Sequence, residues 1–345
     1  MARSSGRRAS PDGAGRGPVP GQARIVSTLG YPRRPQWGAR VETIDPHSMP
    51  RAKAIRRLVA AAGRCDVMLL DGSVGIRARN PDLAVAALVG VRRNRPPVVM
   101  AEANWKAGAG VDRTLRVAGM RAISRAVTIF CVVSKHELEV FPRTWGISPD
   151  RVVYTPFYYT LGEEELAVPA TEGGGIFAGG NPMRDYGTLI EAARGLPVEA
   201  SIATSRPEIL AYPGMPSNVR VGPVPHDEYV RRMRACDVAV VPLMPNTVRS
   251  GGEQTYLNAM ALGKVTIVTD SPGASDYIES GVTGIIVPPS DPAAMREAVA
   301  WAIDPANHEA ARRMGEAAKA FVLPRFGPDQ WVDRLLEIAD LAAVA

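Results

Sequence analysis

The chain has 345 residues, 46% hydrophobic and 22% charged, with a formal net charge of +6 and a pI near 9.4. That length holds two domains of ordinary size, and the composition is that of a folded globular chain. No apolar run approaches the ~20 residues of a membrane-spanning helix, and no aromatics are interleaved with the basic residues as nucleic-acid binding would require.

The charge is unevenly spread. Residues 1–171 carry 26 Lys and Arg against 14 Asp and Glu, whereas residues 172–345 carry 15 against 21. Opposite signs in the two halves predict two domains with different tasks. Residues 1–22 are Gly, Pro, Ser and Arg with almost nothing apolar, so a disordered arm is expected there. Arg3, Arg7 and Arg8 are followed by Pro, Gly, Ser and Asp rather than by an apolar segment, which does not fit a secretory signal. Cys65, Cys131 and Cys236 each lie in an apolar, strand-like run. Free thiols and a cytoplasmic protein are expected.

From Arg24 onward, strands are predicted over 25–28, 66–70, 98–101 and 127–133, with helices over 51–62, 83–93 and 112–124 between them. This alternation predicts a parallel sheet covered by helices, an N-terminal Rossmann-like domain over 23–160. Ser134 and Glu137 have capping-box spacing and open a helix after the fourth strand. A polar, acidic, Gly-rich linker over 161–174 follows. Strands then recur over 175–178, 198–203, 219–221, 238–242, 265–268 and 284–287. Helices over 185–193, 227–235, 252–262, 274–280 and 292–303 separate them. A second Rossmann-like domain over 175–328 results. The segment 329–345 contains an amphipathic helix over 329–341 that can pack back on the N-terminal domain. Two α/β domains in series place a cleft between them.

Two Gly-rich turns in the second half stand at ligand-binding positions. Ser250-Gly251-Gly252 opens a helix after the strand over 238–242, and backbone N–H groups at such a helix start attract an anion. Gly179-Gly180 follows the first strand, and Arg184 stands at the next helix start, where a cation opposes the helix dipole unless an anion intervenes. A diphosphate between Arg184 and the 250–252 turn resolves the conflict. Asn258, within the helix, can exchange hydrogen bonds with a ribose hydroxyl pair.

The first half offers less. Asp71, Glu102 and Asn104 stand at strand ends, and the loop GYPRRPQWG over 30–38 brings Trp37 toward the cleft. These are the acceptor-side candidates, with Glu102 a base or hydroxyl partner. Solvated loop polars are an equal account of them. His136 and His226 read as caps or surface residues, and no residue spacing suggests a metal site. In the stretch 51–64, Lys53, Arg56, Arg57 and Arg64 share one helical face, opposite Ile55, Leu58, Val59 and Ala62. The basic face could meet anionic lipid, or be merely solvated.

The stretches FAGGNPMRDYGTLIEAA, CDVAVVPL, LNAMALGKVTIVTD and GASDYIESGVTGIIVPPSD resemble the C-terminal domain of the family 4 retaining glycosyltransferases, the glycosyl transferases group 1. The resemblance implies the GT-B fold, two Rossmann-like domains facing each other across a cleft. It implies a nucleoside diphosphate sugar donor in the C-terminal domain and an acceptor in the N-terminal one. Retention, no required metal and no further cofactor are also implied. Donor-binding positions would be Gly179, Gly180, Arg184, Arg249, Ser250, Gly251, Gly252, Glu253, Gln254, Thr255 and Asn258. The sequence departs from the family at the two glutamates spaced by seven residues, where Ser250 and Asn258 stand. Glu253 is then the carboxylate left to contact the sugar, with Arg184 on the diphosphate and Glu102 on the acceptor side as the other reacting-site groups. A nucleotide-sugar epimerase of the same fold and a non-catalytic nucleotide-sugar or glycan-binding protein are the rival readings. A dinucleotide-dependent oxidoreductase is disfavoured, because no G-x-G-x-x-G follows the first strand.

Overall fold

The computed structural model describes residues 22–31, 33–73, 80–169, 174–245 and 248–344. The arm expected over 1–22 thus lies, but for residue 22, outside the described residues. The first part of the chain contains strands β1 (Ile25–Ser27), β2 (Val41–Thr43), β3 (Val67–Asp71), β4 (Val98–Ala101), β5 (Val127–Val132) and β6 (Val152–Tyr154). With them come helices α1 (Pro35–Arg40), α2 (Arg51–Ala61), α3 (Pro81–Gly90), α4 (Gly110–Ser124) and α5 (Lys135–Trp145). All neighbouring strands are parallel, in the order β2-β1-β3-β4-β5-β6.

Residues alternate between the two faces of these strands, as strand geometry requires. Met68 and Leu70 of β3 pack with Leu58 of α2, Val85 of α3, Met120 of α4 and Phe141 of α5. Val67 and Leu69 point the other way, toward Trp37 of α1 and a helix from the far end of the chain, α14 (Pro328–Val344). Trp37 is therefore a core residue. Its indole donates to Thr43 Oγ1 at 3.0 Å and packs edge-on to Tyr31, so it does not line the cleft as the 30–38 loop suggested. Pro35 and the residues after it form α1 instead of open loop.

The segment expected as a plain linker contains a short helix, α6 (Glu163–Ala167), with three glutamates in its first turn, where the helix dipole favours them. Residues 170–173 of that segment lie outside the described residues. The second sheet comprises β7 (Ile176–Gly179), β8 (Ala200–Ala203), β9 (Val219–Gly222), β10 (Val238–Val241), β11 (Val265–Thr269) and β12 (Ile285–Val287). Its helices are α7 (Tyr186–Ala193), α8 (Pro207–Leu210), α9 (His226–Ala235), α10 (Glu253–Ala261), α11 (Ala274–Tyr277), α12 (Pro292–Ile303) and α13 (His308–Val322). The order β12-β11-β10-β7-β8-β9 is again parallel throughout. No helix among the described residues is long and apolar enough to cross a membrane. The three cysteines are free, with Cys131 and Cys236 buried.

α14 closes the first sheet's open face. Trp331, Val332, Leu335, Ile338 and Ala339 pack on Val67, Leu69 and Val99, and Trp331 Nε1 donates to Tyr31 Oη at 2.7 Å. Leu335 is 0% exposed, whereas Leu341 is 60% exposed. Leu335→Ala should cost about 2–5 kcal/mol, the range for truncating a buried leucine. Leu341→Ala should stay within about 0.5 kcal/mol. Urea unfolding of the two variants beside the parent checks both; equal costs would mean that α14 is not part of the core.

Candidate functional site

A doubly wound sheet opens a crevice where its strand order reverses. In the second sheet that point lies between β7 and β10, so the loops following these strands form the crevice walls. Those loops are the two Gly-rich turns. Gly180 (φ +105) and Gly252 (φ +91) both adopt left-handed backbone, which glycine does without a Cβ penalty. A Cβ on Gly252 would also lie 3.0 Å from Val241 Cγ1.

Arg184 ties the turn after β7 to the start of α10. Its side chain is 5% exposed; Nε donates to Gly179 O (3.1 Å), Nη1 to Pro182 O (3.0 Å) and Nη2 to Thr255 Oγ1 (3.0 Å). The guanidinium thus lies against the first turn of α10, whose N-cap, Gly252, has no side chain to cap the helix. A buried cation whose hydrogen-bond acceptors are all neutral, beside the positive end of a helix dipole, favours the entry of an anion.

Carboxyl groups border the same space. Glu253 opens α10, is 7% exposed, and has Oε1 without a hydrogen-bond partner. Burial pushes its pKa upward. Glu102 follows β4 in a left-handed conformation (φ +50) that is strained for a residue with a side chain. Burial first, then the charges of Asp71 and Glu253, push it up to about 8. Burial also raises Glu137, to about 7, although Ser134 hydrogen-bonds it in the capping box. A cavity of about 720 Å³ lies between the domains, bordered by Glu102, Asn104, Arg184, Glu253 and Gln254 among others. Among the described residues, no group of three or more His, Cys, Asp or Glu could hold a metal ion.

Several predicted residues have other partners than expected. Asn258 borders the cavity, but its Oδ1 accepts from Thr160 N (2.8 Å) and its Nδ2 donates to Thr160 Oγ1 (3.1 Å). The amide thereby ties α10 to the segment crossing between domains. Ser250 is fully buried in the interdomain seam, with Oγ 3.4 Å from Glu137 Oε2. Ser250 nonetheless borders the cavity. Arg249 and Asn104 bind each other across the cleft, Arg249 Nη1 donating to Asn104 O at 3.0 Å. Gly179 is covered by the Tyr229 ring, and a Cβ there would lie 2.3 Å from it, so that glycine makes room for a tyrosine. Gln254 remains exposed at the cavity, its Nε2 donating to Thr160 Oγ1. Asp71 caps the backbone of Ser73 (2.7 Å) at the end of β3.

Sequence reasoning missed Met183, Tyr229 and Thr160. His226 also borders the cavity, exposed and 3.1 Å from Glu165 Oε1. Glu137 was legible only as a helix cap.

Residues 192–304 match the family model described as glycosyl transferases group 1. No curated protein matches the chain. Among solved structures, a glycosyltransferase from Rickettsia africae ESF-5 is similar at 15% identity, covering 92% of this chain and 89% of that one, with a TM-score of 0.63. HepE from Anabaena, in complex with UDP, matches at 15% identity over 90% and 88% of the two chains, TM-score 0.63. Sucrose-phosphate synthase from Thermosynechococcus elongatus matches at 17% identity over 87% and 82%, TM-score 0.60. These likenesses establish the two-domain GT-B fold expected from the sequence.

The raised carboxyl of Glu102 has a consequence for stability. Its folded-state pKa, about 8, lies above the ordinary 4.5, so the native state holds the proton more tightly than the unfolded chain. The stability this confers is fully present below about pH 4.5 and is lost as pH rises toward 8. Glu102→Gln removes that loss. The variant should be more stable than the parent at pH 8.5, by on the order of 1 kcal/mol, with the advantage fading toward pH 4.5. Denaturant titrations at both pH values check this; a pH-independent difference would refute it.

Proposed function

We propose that this protein is a retaining, metal-independent glycosyltransferase that moves a hexosyl group from a nucleoside diphosphate sugar to an acceptor hydroxyl. The supporting observation is the buried Arg184, which joins the turn after β7 to the first turn of α10 through three neutral acceptors. A diphosphate there would meet the guanidinium and the free N–H groups of the helix end together. HepE binding UDP and UDP-glucose in a similar fold supports the choice of donor class. The partial family match over 192–304 supports the activity.

Each group then has a role. Arg184 and the α10 N-terminus stabilise the charge that grows on the leaving diphosphate. Gly180, Gly251 and Gly252 let the phosphates approach the backbone, with Gln254 and Thr255 beside them. Glu253, which borders the cavity, holds a hydroxyl of the donor sugar in place of the family glutamate at the position of Ser250. The anomeric C–O bond to the diphosphate breaks as the acceptor oxygen bonds that carbon on the same face. The acceptor proton passes to the leaving phosphate oxygen, and Glu102 orients the hydroxyl. Asn104 and Asp71 flank Glu102 on the acceptor side. The exposed basic face of α2, with Lys53, Arg56 and Arg57, is available for peripheral contact with an anionic membrane from the cytoplasmic side. The commitment of Asn258 to Thr160 favours one rival, a non-catalytic nucleotide-sugar binder; sugar transfer measured by product formation would exclude it.

Thermal shift against a panel of nucleoside diphosphates and their sugars tests the reading. A donor at 100 times its Kd should stabilise the fold by about 2.7 kcal/mol. A panel without any shift would count against the function. Arg184→Ala should weaken nucleoside diphosphate binding about ten- to hundredfold, the worth of a lost charge-assisted hydrogen bond. Calorimetric titration that finds unchanged affinity would remove Arg184 from the site.

A further inference from the structure

A second cavity, of about 410 Å³, opens beside the first, between α5 and Met244, Pro245 and Val248. Glu137, Val140, Phe141 and Thr144 line it from α5; their i, i+3, i+4, i+7 spacing puts them on one helical face. Behind that face Trp105, Phe141 and Trp145 pack with ring centroids 5.8–6.2 Å apart. Trp105 is fixed by Nε1 donating to Gly72 O at 2.6 Å. Across the opening stand Met183, Met244 and Val248. Met244 and Val248, 46% and 62% exposed, leave apolar surface in water at the rim.

The two cavities share a wall. Met183 and Arg249 border both. Met183 is held in the left-handed region (φ +57), and its Sδ lies 3.1 Å from where a Cβ on Gly251 would stand. A side-chain-bearing residue stays in that conformation only where its surroundings over-determine it. Here the strained residue is the partition between an anion-attracting space and an apolar one.

We propose that the second cavity binds the apolar group of the acceptor, an alkyl or aryl aglycone, and so holds the acceptor hydroxyl at the shared wall facing the donor. This inference rests on the glycosyl-transfer reading above. The volume suits one ring system or a short chain. The lining is mostly aromatic and aliphatic; Lys106, Glu137 and Arg249 are its charged members, and Arg249 also borders the donor cavity, where a polar head would lie. Filling the cavity would remove the rim side chains of Met244 and Val248 from water, which favours binding in proportion to the apolar area covered.

Calorimetric titration of the full chain with methyl, butyl and octyl β-glucoside, below micelle formation and without donor, tests the proposal. Affinity should rise with chain length, octyl binding at least about tenfold tighter than methyl. Thr144→Trp, which fills the cavity from α5, and Val248→Asp, which places charge on its rim, should each remove that advantage. Both should keep the parent's melting temperature and UDP affinity. Equal affinity for methyl and octyl glucosides in the parent, or an octyl advantage that survives in both variants, would overturn it. Because chain-length dependence is read without donor, its failure is distinct from a failure of UDP to bind.

Discussion

The buried guanidinium of Arg184 is the constraint on which the site depends. Its three acceptors are two carbonyls and a hydroxyl, all neutral. Burying a cation with only neutral partners is costly, and the adjacent helix end adds to the cost. What the fold gains is position. One side chain fixes Gly179 and Pro182 of the turn after β7 against the first turn of α10. Glu253 is consequently held at the cavity edge with an oxygen to spare.

Much of this architecture is legible in the residues. The β-branched runs over 98–101, 238–242 and 265–268 read as buried strands because both their faces are covered, and Ser134 with Glu137 forms the capping box its spacing announces. Arg184 at a helix start and the two Gly-rich turns marked the cavity. What stayed hidden has physical reasons. β2 and β6 are three-residue edge strands, too short for periodicity to register. α13 buries Ala311, Gly315 and Ala318 beside Met314 and Val322, with Gly315 so close to Gly263 that a Cβ would sit 2.1 Å from its carbonyl oxygen, and the small residues at the contact carry little apolar signal of their own. Trp37 misled because an aromatic in a Gly- and Pro-rich stretch resembles a loop anchor. Its burial depends on α14, about 300 residues away in sequence.

Ser250 and Asn258 could be located by sequence but not interpreted, since their partners come from the other half of the chain. Asn258 takes both functions of Thr160, and Ser250 sits between Glu137 and Gly273. Gly273 has positive φ (+87), and a Cβ there would stand 2.7 Å from Ser134 Cβ. Tyr277 adds a bond across the same seam, its hydroxyl donating to Val133 O and accepting from Phe157 N (2.8 Å). At both positions this chain has short polar side chains whose hydrogen bonds join its two halves.

The return of α14 to the first sheet bears on how the molecule is made. Val67, Leu69 and Val99 keep an uncovered face until Trp331 to Ala342 have been synthesised, and Arg40 pairs with Asp340 across that span. On a ribosome, which delivers the chain from its N-terminus, the first domain emerges incomplete and the second can close before it. Contacts so distant in sequence slow the final docking, because the chain's loop-closure entropy must be overcome first. During that interval an apolar sheet face is exposed to neighbouring chains. The helix that finishes the first domain therefore also sets the length of time for which a nascent copy is prone to aggregate.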